Sequence, residues 1–324
     1  MLREHFGARV RENEPLARHG TFGVGGPADA WVPLAHEDDV SALVRLVREY
    51  DWPLMLVGNG TNVLYADAGA RGVVARMDIE EWRLEPVDGD GEHTLLIAGA
   101  GVSLPKLANE LAKAGLAGLE WGAGVPGTVG GAVVSNAGAG GGCVADTLQA
   151  ARVLLTGTEG DAVVRELTAA ELELSYRHSR FRAARRVIFA DDGTPVAAPR
   201  ARIEPPEMIV GASFLLRRDD PAAVRGRVRE HLDYRKRTQP VEKSAGSVFK
   251  NPPGDYAGRL IEAAGLRGAR HGNAQISPKH ANFIVNTGGA TAADVVALIA
   301  LARRTVRERF GVDLELEVEP RGDW

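Results

Sequence analysis

Cysteine is almost missing from this sequence, since Cys143 is the only one among its 324 residues. A single cysteine cannot form an internal disulfide, and it cannot supply a cysteine-rich zinc site. Both exclusions are typical of proteins that work in a reducing cytoplasm, which is the localisation that the sequence predicts. We also predict that the protein holds no metal ion.

Long hydrophobic runs and an excess of one charge are missing as well. No apolar stretch approaches the ~18–20 residues that a membrane span needs, and residues 1–5 carry no apolar core of a secretory signal. The 39 basic and 43 acidic residues leave a formal charge of −4, which removes the general electrostatic case for nucleic-acid binding. The sequence therefore predicts neither a membrane nor a nucleic acid as a partner.

The remaining composition is that of an ordinary globular protein, with 44% apolar and 25% charged residues. The length corresponds to two or three domains at ~100–200 residues each. Helical and strand-like patterns alternate along the chain, which favours a mixed α and β fold. We expect helices at about 40–50, 103–114, 220–235, 257–264 and 291–311, strands at 72–75, 95–98, 153–156, 187–190 and 312–318, and a loop or insertion at 191–207.

Glycine is the residue that the sequence concentrates in a few places. Residues 122–142 read GAGVPGTVGGAVVSNAGAGGG, with nine glycines in 21 positions, and smaller glycine clusters lie at 23–27 and 58–62. Successive backbone N–H groups in glycine-rich turns form concave sites for anions. Three such clusters predict an extended ligand that carries phosphates, although ordinary tight turns would give the same composition.

Two common nucleotide-binding motifs do not account for these clusters. Residues 122–127 formally match GxGxxG, but residues 117–121 make a poor central strand, and Pro126 would disturb the helix entry that a Rossmann motif requires. No glycine cluster carries the Gly-Lys-Ser/Thr sequence of a P-loop. Spacing alone therefore leaves the phosphate-bearing ligand unidentified.

Two polar segments lie nearer the C-terminus. Residues 244–252 read SAGSVFKNP, which places two hydroxyls, a cation and an amide close together, and residues 277–283 read SPKHANF. On composition alone, the first segment is either a polar site or a capped turn, and His280 in the second is more often a structural residue than a catalytic one. Glu315 and Glu317 alternate along a predicted strand, so by default both carboxylates belong to one solvated face.

Taken together, these segments resemble one family, the UDP-N-acetylenolpyruvoylglucosamine reductases. The matching pieces occur in the expected order and cover about residues 18–318. The most specific are VPGTVGG at 125–131 and GSVFKNP at 246–252. The others are TFGVGGPAD at 21–29, VGNGTNVL at 57–64, GLE at 118–120, NAG at 136–138, YRHSRF at 176–181, QP at 239–240 and the stretch 277–286.

The resemblance implies an α+β fold of the vanillyl-alcohol-oxidase (PCMH) type, in which two subdomains hold FAD and a third α+β domain binds the substrate. It implies a first FAD subdomain at 1–78 joined by 312–324, a second at 79–218 and a substrate-binding domain at 219–311. The short segment after Pro252 is similar to type II members of the family, which lack a substrate-clamping tyrosine loop.

The implied activity is the NADPH-dependent reduction of UDP-N-acetylglucosamine enolpyruvate to UDP-N-acetylmuramate, a step of peptidoglycan precursor synthesis. NADPH reduces FAD, the reduced flavin gives a hydride to the enolpyruvyl double bond, and a proton completes the lactyl ether. Such an addition needs a cation where negative charge develops and a proton donor. By its match to the family motif, Arg177 would polarise the substrate carboxylate, Ser247 would donate the proton, and Glu317 would assist as a charge-tuned acid.

The resemblance also implies the binding residues and the partners. The partners are a small-molecule UDP-sugar and NADPH, and we expect a monomer or a weak oligomer. Substrate-binding residues would be Lys250, Asn251 and His280. The FAD-binding residues would be Gly58, Asn59, Gly60, Thr61, Asn62, Pro126, Gly127, Thr128, Gly130, Gly131, Asn136 and Gly138.

Three other interpretations stay open on sequence alone. A sugar or alditol oxidase of the same fold would consume oxygen without NADPH, and it would not need the 246–252 motif. A nucleotide-sugar binding protein without redox chemistry would be colourless when pure. A degenerate relative would bind FAD without activity, and the presence of Arg177, Ser247 and Glu317 argues against it.

Overall fold

A computed structural model describes residues 1–87, 89, 91–156, 162–183, 187–190, 192, 194–197 and 201–324. Helices and strands alternate within these residues, which confirms the predicted mixture of α and β. No helix in these ranges is long and apolar enough to cross a membrane. The α-helices found there are α1 (Leu2–Phe6), α2 (Glu37–Glu49), α3 (Leu104–Lys113), α4 (Val129–Ser135), α5 (Arg180–Ala183), α6 (Pro221–Thr238), α7 (Ala257–Ala263) and α8 (Ala292–Phe310).

The first sheet is built mainly from parallel strands of the N-terminal region. Its members are β1 (Arg11–Pro15), β2 (Pro27–Leu34), β3 (Leu54–Val57), β5 (Ala70–Met77) and β15 (Ile203–Glu204), in the order β1-β2-β5-β3-β15. The predicted apolar face of α2, which includes Val40, Leu43 and Val47, is buried in the same core as Val32 and Leu34 of β2. The helix predicted at 40–50 is thereby confirmed.

The second sheet is antiparallel and holds the strands of the middle region. Its members are β6 (Trp82–Pro86), β7 (His93–Gly99), β11 (Leu148–Leu155), β12 (Val163–Thr168) and β16 (Glu207–Arg218), in the order β12-β11-β16-β7-β6, with β8 (Leu116–Ala117) also paired to β16. Helix α3, predicted at 103–114, buries Leu104, Leu107 and Leu111 in the core that this sheet shares with α2. Helix α6 packs beside α3 and the 3-10 turn Glu120–Gly124.

The region after residue 239 provides most of a second hydrophobic core, to which Phe22, Val24 and Leu64 also contribute. Helices α7 and α8 contribute to it together with β18 (Ala274–Ile276) and β19 (Ile284–Asn286), which form an antiparallel sheet with the exposed β17 (Arg270–His271). Helix α8 begins at its predicted capping box, where the N–H of Asp294 donates to Oγ1 of Thr291 at 3.1 Å. It ends at Gly311, whose φ of +68° suits glycine. The three-domain division stays a prediction.

The strand predicted at 312–318 is wrong. These residues are extended, but they pair with the 244–252 segment through one isolated bridge, Leu316 opposite Phe249. The strand begins after them, where β20 (Glu319–Arg321) pairs in parallel with β4 (Val63–Tyr65). Apolar alternation does not require a ladder, since Leu314, Leu316 and Val318 are buried from a backbone that is merely extended.

The loop or insertion predicted at 191–207 is also wrong over half of its described part. Within it, β14 (Pro195–Ala197) pairs with β13 (Val187–Phe189), and β15 extends the first sheet beside β3. Residues 191, 193 and 198–200 of this stretch lie outside the described residues. The proline content led to the prediction of a loop. Proline is nevertheless tolerated at the first residue of a strand, as at Pro195, and next to an edge strand such as β15.

Candidate active site

An ion pair between two predicted catalytic residues forms the centre of the site. Arg177 Nε donates to Glu317 Oε1 at 2.6 Å, although the two residues are 140 positions apart. Arg177 Nη2 also donates to the main-chain oxygen of Gly138 at 2.8 Å. Only 22% of the Arg177 side chain and 17% of the Glu317 side chain are exposed. A charge-assisted hydrogen bond is strong at such burial, so it holds both groups in place.

Arg177 lies at the tip of a tight turn. Ser175 and His178 pair across this turn, and Arg177 between them has a φ of +52°. That left-handed conformation costs a non-glycine residue roughly 1–2 kcal/mol. Asn136 supports the turn, because its Nδ2 donates to the Ser175 carbonyl at 2.8 Å while its Oδ1 accepts from the N–H of Ala145 at 3.1 Å.

Ser247 lies on backbone that adjoins Glu317. The N–H of Glu317 donates to the carbonyl of Val248 at 2.8 Å, which places Ser247 one residue from this contact. Gly246 turns the chain immediately before Ser247 with a φ of +77°, which glycine adopts without a steric penalty. The structure therefore brings the three predicted catalytic residues into one region, with Arg177 and Glu317 in direct contact and the half-buried Ser247 beside them.

Asn282 fixes the backbone that carries Ser247, and the sequence analysis did not single it out. Its Oδ1 accepts from the N–H of Phe249 at 3.0 Å, and its Nδ2 donates to the carbonyl of Phe249 at 2.8 Å. Its own carbonyl accepts from the N–H of Val248 at 2.8 Å. Asn282 is buried, and an amide within the polar stretch 277–286 was the only sequence signal that pointed to it.

Two glycine loops meet near this region: the first glycine loop, 58–62, and the second glycine loop, 126–131. Thr61 Oγ1 donates to the carbonyl of Pro126 at 3.2 Å. A Cβ on Gly58 would lie 2.9 Å from Thr128 Oγ1, and a Cβ on Gly127 would lie 3.1 Å from Thr61 Oγ1. Glycine at both positions therefore keeps open the space where the loops face each other.

The two glycine loops fit the FAD that the resemblance implies. Neither loop contains an acidic residue, so none of their side chains would repel a diphosphate. Glycine at Gly58 and Gly127 lets the backbone come close to such a group. By contrast, Gly60 and Gly130 are required by packing inside the protein, because a Cβ on them would lie 2.0 Å from the His19 carbonyl and 2.8 Å from Cβ of Ala100.

Two of the predicted substrate residues, Lys250 and Asn251, lie on the segment that carries Ser247, and the third, His280, contacts Asn282, which holds that segment. Lys250 Nζ forms an ion pair with the carboxylate of Glu315. Asn251 Oδ1 accepts from the N–H of Ala257 at 3.1 Å, at the start of α7. His280 Nδ1 accepts from the N–H of Asn282 at 3.2 Å. Burial lowers the pKa of His280, which favours the neutral imidazole.

Glu315 and Glu317 do not share one solvated face. The Glu315 side chain is 70% exposed, as the default interpretation expects, whereas Glu317 is largely buried against Arg177. The sequence pattern is the same for both, and only the approach of the Arg177 turn distinguishes them. Nowhere in the described ranges do three His, Cys, Asp or Glu side chains come together as a metal site would require.

Comparison with known proteins identifies the family that the sequence motifs resemble, and the matches extend over nearly the whole chain. Residues 28–164 match an FAD-binding domain, and residues 239–320 match the C-terminal domain of UDP-N-acetylenolpyruvoylglucosamine reductase. The reductase of Chloroflexus aggregans is 44% identical over 98% of this chain and 99% of its own length. A second reductase, from Symbiobacterium thermophilum, is 44% identical over 96% of this chain and 92% of its own length.

The chain belongs to the UDP-N-acetylenolpyruvoylglucosamine reductase family. A solved reductase of this family, from Thermus caldophilus, superposes with a TM-score of 0.70 at 35% identity, covering 94% of this chain and 97% of that one. This match and the FAD-binding domain at 28–164 confirm the predicted FAD-binding fold. The protein is accordingly an FAD-dependent oxidoreductase.

We expect Gly60→Ala to remove FAD from this reductase. The new Cβ would lie 2.0 Å from the carbonyl oxygen of His19, and the φ of +60° disfavours any side chain. The first glycine loop would have to move, because backbone atoms cannot yield as a flexible side chain does. The measurement is the visible flavin absorbance per polypeptide after purification with added FAD.

Gly254→Ala is the matched control for the Gly60 substitution. Gly254 has a φ of +77° but nothing within 4 Å of its Cβ position, so only the conformational cost of roughly 1–3 kcal/mol applies. The control should lower the melting temperature and retain FAD. Full flavin content in Gly60→Ala would show that the first glycine loop does not depend on the close approach to His19.

Proposed function

We propose that this chain reduces the enolpyruvyl group of UDP-N-acetylglucosamine enolpyruvate to the lactyl ether of UDP-N-acetylmuramate, with NADPH as the reductant, in peptidoglycan precursor synthesis. The observation that carries the proposal is the half-buried Arg177–Glu317 pair, which adjoins the Ser247 backbone. When bound, FAD supplies the redox chemistry, accepting a hydride from NADPH and passing it to the substrate.

Arg177 is the cation in this proposal. Addition of a hydride to the enolpyruvyl double bond leaves negative charge on the neighbouring carbon, and this charge spreads into the substrate carboxylate. A guanidinium has five N–H donors, and its hydrogen bonds to Glu317 and Gly138 leave others for that carboxylate. Because the pair fixes its orientation in advance, Arg177 stabilises the developing charge without first reorganising.

Ser247 is the proposed proton donor. A hydroxyl is a weak acid, but a carbanion is a strong enough base to take its proton if the resulting alkoxide is stabilised. The segment that carries Ser247 is clamped by Asn282 and bonded to the main chain of Glu317. Glu317 is proposed to hold Arg177 in place and to assist the proton transfer.

The remaining assignments concern binding. The backbone of Gly58, Asn59, Gly60, Thr61 and Asn62 is proposed to face the FAD diphosphate, and the second glycine loop to form the other wall. Lys250, Asn251 and His280 are proposed to contact the UDP-sugar. The protein is proposed to work in the cytoplasm as a monomer or a weak oligomer.

The experiment that tests the function separates its two half-reactions. The purified protein should show an oxidised flavin band that NADPH bleaches in the absence of oxygen. Addition of the enolpyruvyl UDP-sugar should then restore the band with one product formed per flavin. A bleached band that this substrate does not restore would refute the proposal. Oxygen consumption with simple polyols and without NADPH would instead indicate an oxidase, and a colourless protein that takes up no FAD would indicate a binding protein.

A further inference from the structure

The main-chain carbonyl of Glu317 accepts hydrogen bonds from two side chains that the proposed chemistry does not use. Asn62 Nδ2 donates to it at 2.8 Å, and Arg182 Nη2 donates to it as well. A backbone carbonyl has two lone pairs, and here both are occupied by side chains from distant parts of the sequence. One donor comes from the first glycine loop, and the other comes from α5, immediately after the turn that carries Arg177.

Arg182 is a costly residue to bury for the sake of stability alone. Only 8% of its surface is exposed. Its Nη1 is buried and has no hydrogen-bond partner in the part of the chain that the structure describes. A buried donor left unsatisfied destabilises the folded protein, and more so when the group is charged. The guanidinium of Arg182 is nevertheless buried, and it donates to the main-chain carbonyl of the proposed catalytic residue Glu317. This contact connects Arg182 with the site.

The two donors complete a set of bonds that fixes the backbone of Glu317 on both sides. Its N–H donates to the carbonyl of Val248 at 2.8 Å, and its carbonyl accepts from the side chains of Asn62 and Arg182. With the peptide groups fixed, the direction in which the side chain leaves the backbone is also fixed. The carboxylate is therefore already oriented to accept from Arg177 Nε, at 2.6 Å.

One short segment sets both contacts to Glu317. Arg177, at the carboxylate, and Arg182, at the carbonyl, are five positions apart. Between them the buried Ser179 donates from Oγ to the carbonyl of Val134 at 2.5 Å, which ties the segment to α4. The segment therefore contacts Glu317 at two points, its carboxylate and its main-chain carbonyl.

We infer that Asn62 and Arg182 are positioning residues for Glu317. They act by holding its main-chain carbonyl, so that the carboxylate orients Arg177 for the substrate half-reaction. The inference rests on the proposed function. It assigns to the Asn62 side chain a task inside the protein, separate from any contact that the backbone of the first glycine loop makes with FAD.

The test uses the FAD-loaded enzyme and measures both half-reactions by rapid mixing without oxygen. Arg182→Gln should slow the restoration of the flavin band by the enolpyruvyl UDP-sugar about tenfold, equivalent to ~1.4 kcal/mol, and change the bleaching by NADPH less than about twofold. Arg182→Lys keeps one cationic donor and should recover most of the lost rate. Asn62→Leu removes the donor at similar size without adding a charge to the first glycine loop, and it should give the same selective loss.

A double-mutant cycle separates positioning from a general structural effect. If Arg182 acts through the Glu317 carboxylate, then Arg182→Gln should add little to the slow rate of Glu317→Gln, because the group that it positions is already gone. A merely structural role would make the two losses multiply. Melting temperature and flavin content are recorded for every variant, and they identify effects on folding independently of rate.

Two substitutions elsewhere provide matched controls. Arg303 Nε donates to the carbonyl of Leu314 at 2.9 Å, so Arg303→Gln removes the same kind of bond three residues before Glu317. Asn109 Nδ2 donates to the carbonyl of Pro105 at 2.7 Å, so Asn109→Leu matches the change at Asn62. Neither control should slow the substrate half-reaction selectively.

Two results would overturn the inference. One is an equal slowing of both half-reactions by Arg182→Gln, and the other is full multiplication with Glu317→Gln. A wild-type enzyme that bleaches with NADPH but ignores the enolpyruvyl UDP-sugar would refute the proposed function itself, and the inference with it. An active wild type with an unaffected Arg182→Gln variant would refute the positioning role alone.

Discussion

Replacing Ser247 with alanine should slow the oxidation of the reduced enzyme by the enolpyruvyl UDP-sugar about 1,000-fold, within the range of general-acid effects, and should leave its reduction by NADPH intact. The hydroxyl is needed only when the substrate carbon takes up a proton, so the first half-reaction does not involve it. Ser247→Cys should be faster than the alanine variant, because a thiol is also a proton donor of similar size.

Rapid-mixing measurements of the flavin band in each half-reaction decide this prediction. Ser244→Ala, three residues earlier in the same segment, is the control, and we expect it to leave both rates close to those of the wild type. Equal slowing of both half-reactions in Ser247→Ala would remove Ser247 from the proton-donor role. It would show instead that the substitution disturbs the backbone that Asn282 clamps.

Replacing Arg177 with lysine should slow the substrate half-reaction about 100- to 1,000-fold, the magnitude found for loss of an anion-stabilising donor. An ammonium is a compact charge without the planar fork of a guanidinium. With two of its three N–H donors on Glu317 and the Gly138 carbonyl, it would keep one for a substrate carboxylate, whereas the guanidinium keeps three. Reduction by NADPH should change little, because the substrate carboxylate takes no part in it.

Arg180→Lys is the matched control for the Arg177 substitution. Arg180 lies in the same segment and forms a two-point ion pair with Glu207, at 3.1 Å from Nε and 2.7 Å from Nη2. Its replacement should reduce stability and leave the ratio of the two half-reaction rates unchanged. A selective loss in Arg180→Lys that equals the loss in Arg177→Lys would place the effect in the segment as a whole and refute a specific role for Arg177.

Local patterns predicted most helices because their signals lie within a few residues. The capping box of Thr291 and Asp294 and the closing Gly311 identify α8 without reference to the rest of the chain. The apolar spacing of Val40, Leu43 and Val47 does the same for α2. The strands of 191–207 and the end of the chain were predicted poorly, because pairing depends on a partner elsewhere in the sequence.

In the candidate site, too, the sequence identified the residues, and only the structure showed their environments. The resemblance identified Arg177, Ser247 and Glu317, but periodicity gave Glu315 and Glu317 the same environment. The structure separates them, because the turn carrying Arg177 approaches Glu317 and not Glu315. Asn62 is a similar case, since its position in a glycine loop suggests a ligand while its side chain holds a backbone carbonyl.

The sequence by itself determined the family, the glycine loops and the segments that carry the three proposed catalytic residues, because each is encoded in a short run of neighbouring positions. Only the tertiary structure decided that Glu317 is half-buried in an ion pair and that Asn62 and Arg182 hold its backbone. These contacts join residues from 135 to 255 positions apart. Their partners are chosen by how the sheets and loops pack, which no local pattern records.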